Sequence, residues 1–407
     1  MPFIEKLECA LCGLEHNAEG VQGLCQSCAR PLWVKYDLAS VGASLKRDDL
    51  KGRPESIWRY FELLPLRSRE SIVSLGEGVT PLFQAKRLGR YLGLNELWIK
   101  DESRLPTGSF KARGMAMAIS KANELGVKSV AVPTAGNAGG ALSAYAARAG
   151  LPAHVLMPYD TPIVNQREAS LLGAKTVLIE GLIDDCGRMV KEGAAHLGWF
   201  DVSTLKEPYR IEGKKTMGLE LAEQFDWSLP DVVLYPTGGG TGLIGMWKAF
   251  AELNELGWLN SANRPRMVAC QAEGCDPIVR AFESGARHAA RVPNATTQAA
   301  GIRVPAAVGD FMILDAIRES QGLAVRAPEK DIQPWMERAS CLEGVSLCPE
   351  SAICLAAASQ LLSDGTISKS DRVVLFNTGA AQKYVELLPK NPVRVDPSDG
   401  EWWKRLG

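Results

Sequence analysis

Histidine is nearly missing from this chain: His16, His154, His196 and His288 are the only four in 407 residues. They form no His-x-x-x-His pair, and there is no Gly-x-Ser-x-Gly elbow, which argues against a histidine metal centre and a Ser-His-Asp hydrolase. Net charge is missing too: 46 Lys+Arg against 47 Asp+Glu leave −1, so no global field draws in nucleic acid or an anionic membrane. No apolar run reaches the length of a bilayer span, and the start MPFIEKLECALCG sets Glu5 and Glu8 where a secretory leader needs cations followed by an apolar stretch. These absences predict a cytoplasmic protein whose partners include neither nucleic acid nor membrane.

Cysteine, by contrast, is plentiful, with ten residues. In a reducing compartment these read as thiols or metal ligands rather than disulfides. Cys9-x-x-Cys12 and Cys25-x-x-Cys28, each near a glycine turn (Gly13, Gly23), have the spacing of a tetrahedral zinc ribbon. A closed shell of four thiolates leaves no open coordination position, so a structural zinc in a head spanning 1–35 is expected. A ribbon also suggests a different class of protein, a nucleic-acid or protein-binding module. This one is acidic, with Lys6 and Arg30 against Glu5, Glu8, Glu15 and Glu19, which disfavours that reading. The other six cysteines lack ligand spacing and read as small buried residues.

Beyond a charged connection over 45–55 the pattern changes. ELWIK (96–100), SVAVP (129–133), AHVLMP (153–158), KTVLIE (175–180), DVVLYP (231–236), RMVACQ (266–271) and RVVLFN (372–377) read as buried strands. Helical stretches are predicted between them at 110–125, 141–149, 217–224 and 243–256. The alternation predicts an α/β fold with mainly parallel sheets, whose ligands bind at the carboxyl ends of the strands.

Most of the glycine-rich words fall at those strand ends. PTGGGTG (236–242) lies between a strand and a helix, so its backbone N–H groups and the helix dipole can cradle a phosphate. It is neither a Walker A loop nor a dinucleotide fingerprint. PTAGNAGG (133–140) offers the amide of Asn137. In PTGSFKARG (106–114), Lys111 at a helix start between apolar neighbours is set up to be a neutral amine, ready to attack an aldehyde. A lysine nucleophile, a phosphate cup and a polar ring contact on separate strand ends are the parts needed to hold pyridoxal 5'-phosphate.

LGEGVTPL (75–82), SFKARG (109–114), the Asn137 loop, PYRIEGKKT (208–216), the glycine loop and FNTG (376–379) together resemble the fold type II, tryptophan synthase β-subunit-like, pyridoxal-phosphate enzymes, and among them the threonine synthases. The resemblance implies two open, mainly parallel sheet domains. A large cofactor-binding domain would span 36–111 and 229–407, and a small mobile domain 112–228. It implies that Lys111 carries the cofactor and does the acid–base work, and that Asn137 contacts the 3′-oxygen. Gly238, Gly239, Gly240, Thr241 and Gly242 would hold the cofactor phosphate, and Thr378 would face the pyridine nitrogen. Thr134, Arg210 and Lys214 are expected to bind substrate, with Arg210 gripping the phosphate of O-phospho-L-homoserine. Ala112, Ala138 and Leu205 depart from the family pattern, which has an acidic, a hydroxyl and a small polar residue there. The sister chemistry is β-elimination or β-replacement on serine- or threonine-type substrates, as in deaminases and cysteate synthase. A homodimer is expected from the family, and Trp402-Trp403 offers apolar surface for packing.

Overall fold

The computed structural model describes residues 3–388, 394–396, 398, 400, 401 and 404. Trp402 and Trp403 lie outside the described residues. The chain opens with an antiparallel sheet of β1 (Ile4–Cys9), β2 (Glu15–His16) and β3 (Leu32–Tyr36), in the order β2-β1-β3. Helix α1 (Leu38–Ser44) and short 3-10 turns lead to β4 (Leu82–Gln84), α2 (Lys86–Leu92) and β5 (Glu96–Asp101). Helix α3 (Lys111–Glu124) then begins a smaller α/β unit. It continues through β6 (Val130–Pro133), α4 (Ala138–Ala149), β7 (Ala153–Pro158), α5 (Ile163–Leu171), β8 (Lys175–Ile179), α6 (Ile183–Leu197) and β9 (Phe200–Asp201). Its four strands are parallel, in the order β8-β7-β6-β9.

Helix α7 (Tyr209–Gln224) brings the chain back to a larger sheet. The remaining elements are β10 (Val232–Pro236), α8 (Thr241–Glu255), β11 (Arg266–Ala272), α9 (Pro277–Glu283), α10 (Asp310–Glu319), β12 (Leu323–Ala327), α11 (Ile332–Glu343), α12 (Pro349–Ser363) and β13 (Arg372–Asn377). The six strands run β12-β11-β10-β13-β5-β4, all pairs parallel except β4 with β5. Side chains alternate across the sheet, so one β-branched run serves two cores. Val232 and Leu234 pack toward α2, α11 and α12, whereas Val233 and Tyr235 pack toward α8 and α10. This explains why the central strands read as continuous apolar runs.

The structure bears out the α/β fold and the predicted strands, with one correction in burial. KTVLIE forms β8, but as the outer strand of the small sheet, with Val177 and Leu178 exposed. Strand β12 was not anticipated, because as an edge strand it is only half buried and lacks a clear alternation. The cysteine head is not a loose appendage: Leu7, Cys9, Cys25, Leu32 and Val34 share one core with Tyr209 and with helix α3. Among the described residues no helix is long and apolar enough to cross a membrane.

Candidate active site

Lys111 is positioned by a turn, a bridge and an ion cluster. After β5, Thr107 and Gly108 both adopt left-handed backbone, with φ of 61° and 58°, and reverse the chain. The returning segment lies against the end of β13: Phe110 N donates to Thr378 O at 3.1 Å, and Ala380 N donates to Gly108 O at 2.9 Å. Lys111 thus opens α3 beside Thr378. Two residues on, Arg113 forms a buried fork with Glu102, Nε to Oε2 at 2.6 Å and Nη2 to Oε1 at 2.8 Å. Its Nη1 lies 2.9 Å from Glu220 Oε2, and Glu220 also pairs with Lys100. The first turn of α3 is therefore clamped to β5 and α7 by charges that no water screens. Removing one partner of such a cluster leaves an uncompensated charge and costs on the order of 3–5 kcal/mol.

A cavity of about 390 Å³ opens at these strand ends, lined by Lys111, Asn137, the loop 238–242 and Thr378 among others. The structure thus brings together on one wall system the predicted lysine, amide, glycine cup and hydroxyl. The Lys111 amine has no hydrogen-bond or ion-pair partner among the described residues, and its Nζ stands 3.8 Å from the centroid of the Phe110 ring. Burial pushes its pKa down to about 7, the Arg210 guanidinium pushes the same way, and Glu350 pulls against both. Attack on an aldehyde needs the neutral amine. The rate at which the ligand-free chain captures pyridoxal should therefore rise with pH, reach half its maximum near pH about 7 and then level off. An ordinary lysine would keep gaining up to its usual 10.5, so a profile still climbing at pH 9 would contradict this environment.

The glycine cup is built for close approach. Gly240 caps α8 in left-handed conformation, φ 70°, where an added Cβ would stand 2.2 Å from Ile313 Cγ1. At Gly242 it would meet the Tyr235 hydroxyl at 1.9 Å. These glycines let the start of α8 pack closely on Ile313 and Tyr235, and the loop 238–242 lines the cavity where the first amides of the helix have no intrahelical partner. Asn137 Oδ1 is buried without a partner. A buried amide oxygen left open, an unpartnered amine and the free first amides of a helix together fit pyridoxal phosphate, which offers a ring hydroxyl, an aldehyde and a phosphate.

The predicted substrate residues fare differently. Thr134 lines the cavity, but its hydroxyl closes its own loop, bonding Gly136 N and Gly136 O at 3.0 Å each. Lys214 lines the cavity and donates to Thr241 Oγ1 at 2.5 Å. Arg210 does not reach the cavity wall: it is buried behind it, Nη1 donating to Val202 O at 2.6 Å, with Nε and Nη2 unpartnered. Leu205, with φ 59°, points instead into the core against Gly309 and Met312. The polar groups that line the cavity beside these residues are Asp184, Arg188, Lys191, Ser203, Thr204, Lys206 and Arg303, the Asp184 carboxylate pairing with Arg291.

Sequence reasoning missed Glu350 and Tyr384. Glu350 Oε1 accepts from Gly301 N at 2.7 Å and from the Tyr384 hydroxyl at 2.6 Å, while Oε2, buried at the cavity, has no partner. The available signal was Pro349, a residue favoured at the first position of a helix, which puts Glu350 in the first turn of α12. Cys348, read as an inert small residue, sits 3.6 Å from Thr378 Oγ1, and Ser351 Oγ accepts from Thr378 N at 2.9 Å. In the head, the sulfurs of Cys9, Cys12, Cys25 and Cys28 all lie within 4.8 Å of one another. The amides of Leu11 and Cys12 point at Cys9 Sγ, at 3.4 and 3.5 Å.

Comparison with known proteins agrees with this geometry. Residues 73–379 match the family described as pyridoxal-phosphate dependent enzymes. The chain is 34% identical to the threonine synthase of Methanocaldococcus jannaschii over 376 residues, covering 92% of each. It is 36% identical to that of Methanosarcina acetivorans over 374 residues, covering 92% of this chain and 91% of the other. The structure of a processed threonine deaminase isoform from Solanum lycopersicum aligns with TM-score 0.65 at 20% identity, covering 84% of this chain and 89% of that one, and so speaks for the fold alone. With the matched region spanning the lysine, the amide loop and the glycine cup, the chain belongs to the pyridoxal-phosphate dependent enzyme family, among the threonine synthases.

Proposed function

We infer that the protein is a lyase of threonine biosynthesis, converting O-phospho-L-homoserine and water to L-threonine and phosphate. The observation that carries this reading is the meeting, in one cavity, of an unpartnered Lys111 amine with the glycine cup 238–242, in a chain this similar to two threonine synthases. When bound, pyridoxal phosphate supplies the electron sink that lets protons leave carbon. Lys111, close to neutral, would take the proton from substrate Cα and then one from Cβ, the carbon to which the hydroxyl of threonine is added. The C–O bond at Cγ breaks as phosphate leaves; the two protons are returned to Cγ, which becomes the methyl group, and to Cα, while water gives its hydroxyl to Cβ and its remaining proton to the departing phosphate. The amides of Gly238, Gly239, Gly240, Thr241 and Gly242 would hold the cofactor phosphate, Asn137 would bond the ring hydroxyl with its amide, and the Thr378 hydroxyl would serve the ring nitrogen; unlike a carboxylate, it would not fix a proton there, which favours elimination over transamination.

Substrate phosphate recognition follows from what lines the cavity. Ser203, Thr204 and Lys206 precede the first turn of α7, which carries Arg210, and closure of the 112–228 unit on the 36–111 and 229–407 unit would bring that guanidinium's two free donors to bear. Incubation of the protein with O-phosphohomoserine should release phosphate and form threonine, with no 2-oxobutyrate from L-threonine on the same timescale. The reverse pattern would make it a deaminase.

The four-cysteine head is proposed to hold structural zinc, which its sulfur cluster fits in ligand type and spacing. The purified chain should carry about one zinc, and Cys9→Ser should lose it and melt several degrees lower, because Cys9 is part of the core that supports Tyr209. An unchanged melting temperature with metal absent would remove the zinc from this account. A cytoplasmic homodimer is the proposed setting, on the family resemblance and on cysteines that are all free thiols.

A further inference from the structure

Among the described residues five lysines are buried: Lys100, Lys121, Lys214, Lys215 and Lys383. Four of them have a carboxylate within ion-pair distance, namely Glu220, Glu124, Glu212 with Glu252, and Glu168 respectively. Lys214, 1% exposed, has none among the described residues. Its one bond runs to Thr241 Oγ1 at 2.5 Å, on the first residue of α8, immediately after Gly240 of the cup. Its Nζ also stands 4.8 Å from the centroid of the Phe110 ring, the same ring that carries Lys111 at 3.8 Å. Gly114 makes room for it: a Cβ there would lie 3.0 Å from Lys214 Cε. A buried cation without an anion is costly enough that it needs either a ligand or the loss of its proton.

We propose that Lys214 is the counter-cation of the cofactor phosphate, so that the glycine cup is completed by an ammonium group and the cofactor draws a proton into the site as it binds. The proposal rests on the reading that this cavity takes pyridoxal phosphate. It moves Lys214 from the substrate to the cofactor, because Thr241 is the partner that belongs to the cup. Burial, and repulsion from Arg210 and Lys111, hold the amine of the ligand-free site well below its ordinary pKa, with Glu207 alone pulling the other way. A phosphate dianion in the cup reverses that balance, since it stabilises the charged form at hydrogen-bond range.

The test compares pyridoxal phosphate with pyridoxal, which lacks the phosphate, on the ligand-free full chain. Lys214→Met should weaken binding of pyridoxal phosphate by about tenfold to a hundredfold and leave binding of pyridoxal unchanged, and the unchanged binding also certifies that the cavity is folded. If the methionine variant does not fold, Lys214→Gln serves in the same comparison. Calorimetry in two buffers of different ionisation enthalpy reads protons directly. At pH 8, where the free phosphate ester is already a dianion, wild type should take up more protons with pyridoxal phosphate than with pyridoxal. Equal proton uptake, or a variant with normal cofactor affinity and a raised KM for O-phosphohomoserine, would overturn the assignment. A wild-type chain that binds neither aldehyde would instead overturn the functional reading on which it rests.

Discussion

Lys111→Ala should lower turnover by about a thousandfold or more, yield a colourless protein with pyridoxal phosphate, and leave the fold intact or firmer. The two halves of this expectation come from the same observation. The Lys111 amine makes no hydrogen bond or ion pair among the described residues, and the charge that acts on it most strongly is the repulsive Arg210. Truncating it therefore removes a half-buried amine without a protein partner rather than a contact, so the melting temperature of the ligand-free variant should match or exceed that of wild type. A residue held for structure would behave in the opposite way. Lys214 is not a substitute: although it shares the Phe110 ring, its Nζ is tied to Thr241. Turnover within tenfold of wild type, measured as phosphate release from O-phosphohomoserine, would rule out Lys111 as the base. Partial recovery with a small added amine would support its role directly.

Gly213→Ala should be among the most destabilising small changes outside the cavity, with a loss of about 3 kcal/mol or more, at the upper end for overpacked sites. Gly213 lies in α7 where it crosses α3, and an added Cβ would stand 2.1 Å from Arg113 O and 2.8 Å from Met117 Cβ. The first contact is backbone, so no rotamer change relieves it. Only separation of the two helices does, and that separation pulls Arg113 away from Glu220, one of its two carboxylate partners. Thermal or urea unfolding reads the loss, and cofactor affinity should fall with it because Lys111 and Lys214 sit on the two helices being forced apart. A melting temperature within a degree or two of wild type would mean that the crossing is looser than the distances say.

These two sites also explain what the sequence made legible. Strands and their ligand-bearing ends were visible because β10 and β13 are buried on both faces and so are apolar without interruption. Three of the four predicted helix starts were not, the exception being α3, expected from 110 and found from Lys111. The predicted stretches 141–149, 217–224 and 243–256 begin in the structure at Ala138, Tyr209 and Thr241. In each case the hidden turns contain glycines, poor helix formers used here for close approach: Gly139 against Met157, Gly213 against Arg113 and Gly242 against Tyr235. In α7 the concealment is doubled, because Arg210, Glu212, Lys214, Lys215 and Glu220 are all buried. Charged residues ordinarily mark the solvent face of a helix, so a periodicity search sees no apolar stripe where there is in fact no exposed side. The cofactor half of the site was legible because its chemistry demands fixed residue types at strand ends. The acidic side of the cavity was not, since nothing local to Glu350 tells which wall it will face.

The order of strands in the large sheet carries a consequence for how the molecule is made. Strand β13 lies between β10 and β5, yet it is the last strand synthesised and β5 one of the first of that sheet. At about 5–20 residues per second, roughly 15–50 seconds separate the emergence of the two neighbours. In that interval the four parallel strands of the inserted unit, contiguous in the chain from Val130 to Asp201, already have all their partners. The nascent chain thus completes the smaller sheet before the larger one. The wall bearing Thr378 is the last to be set, so a ribosome-bound chain, however long, cannot hold its cofactor until its final strand is threaded into the middle of the sheet.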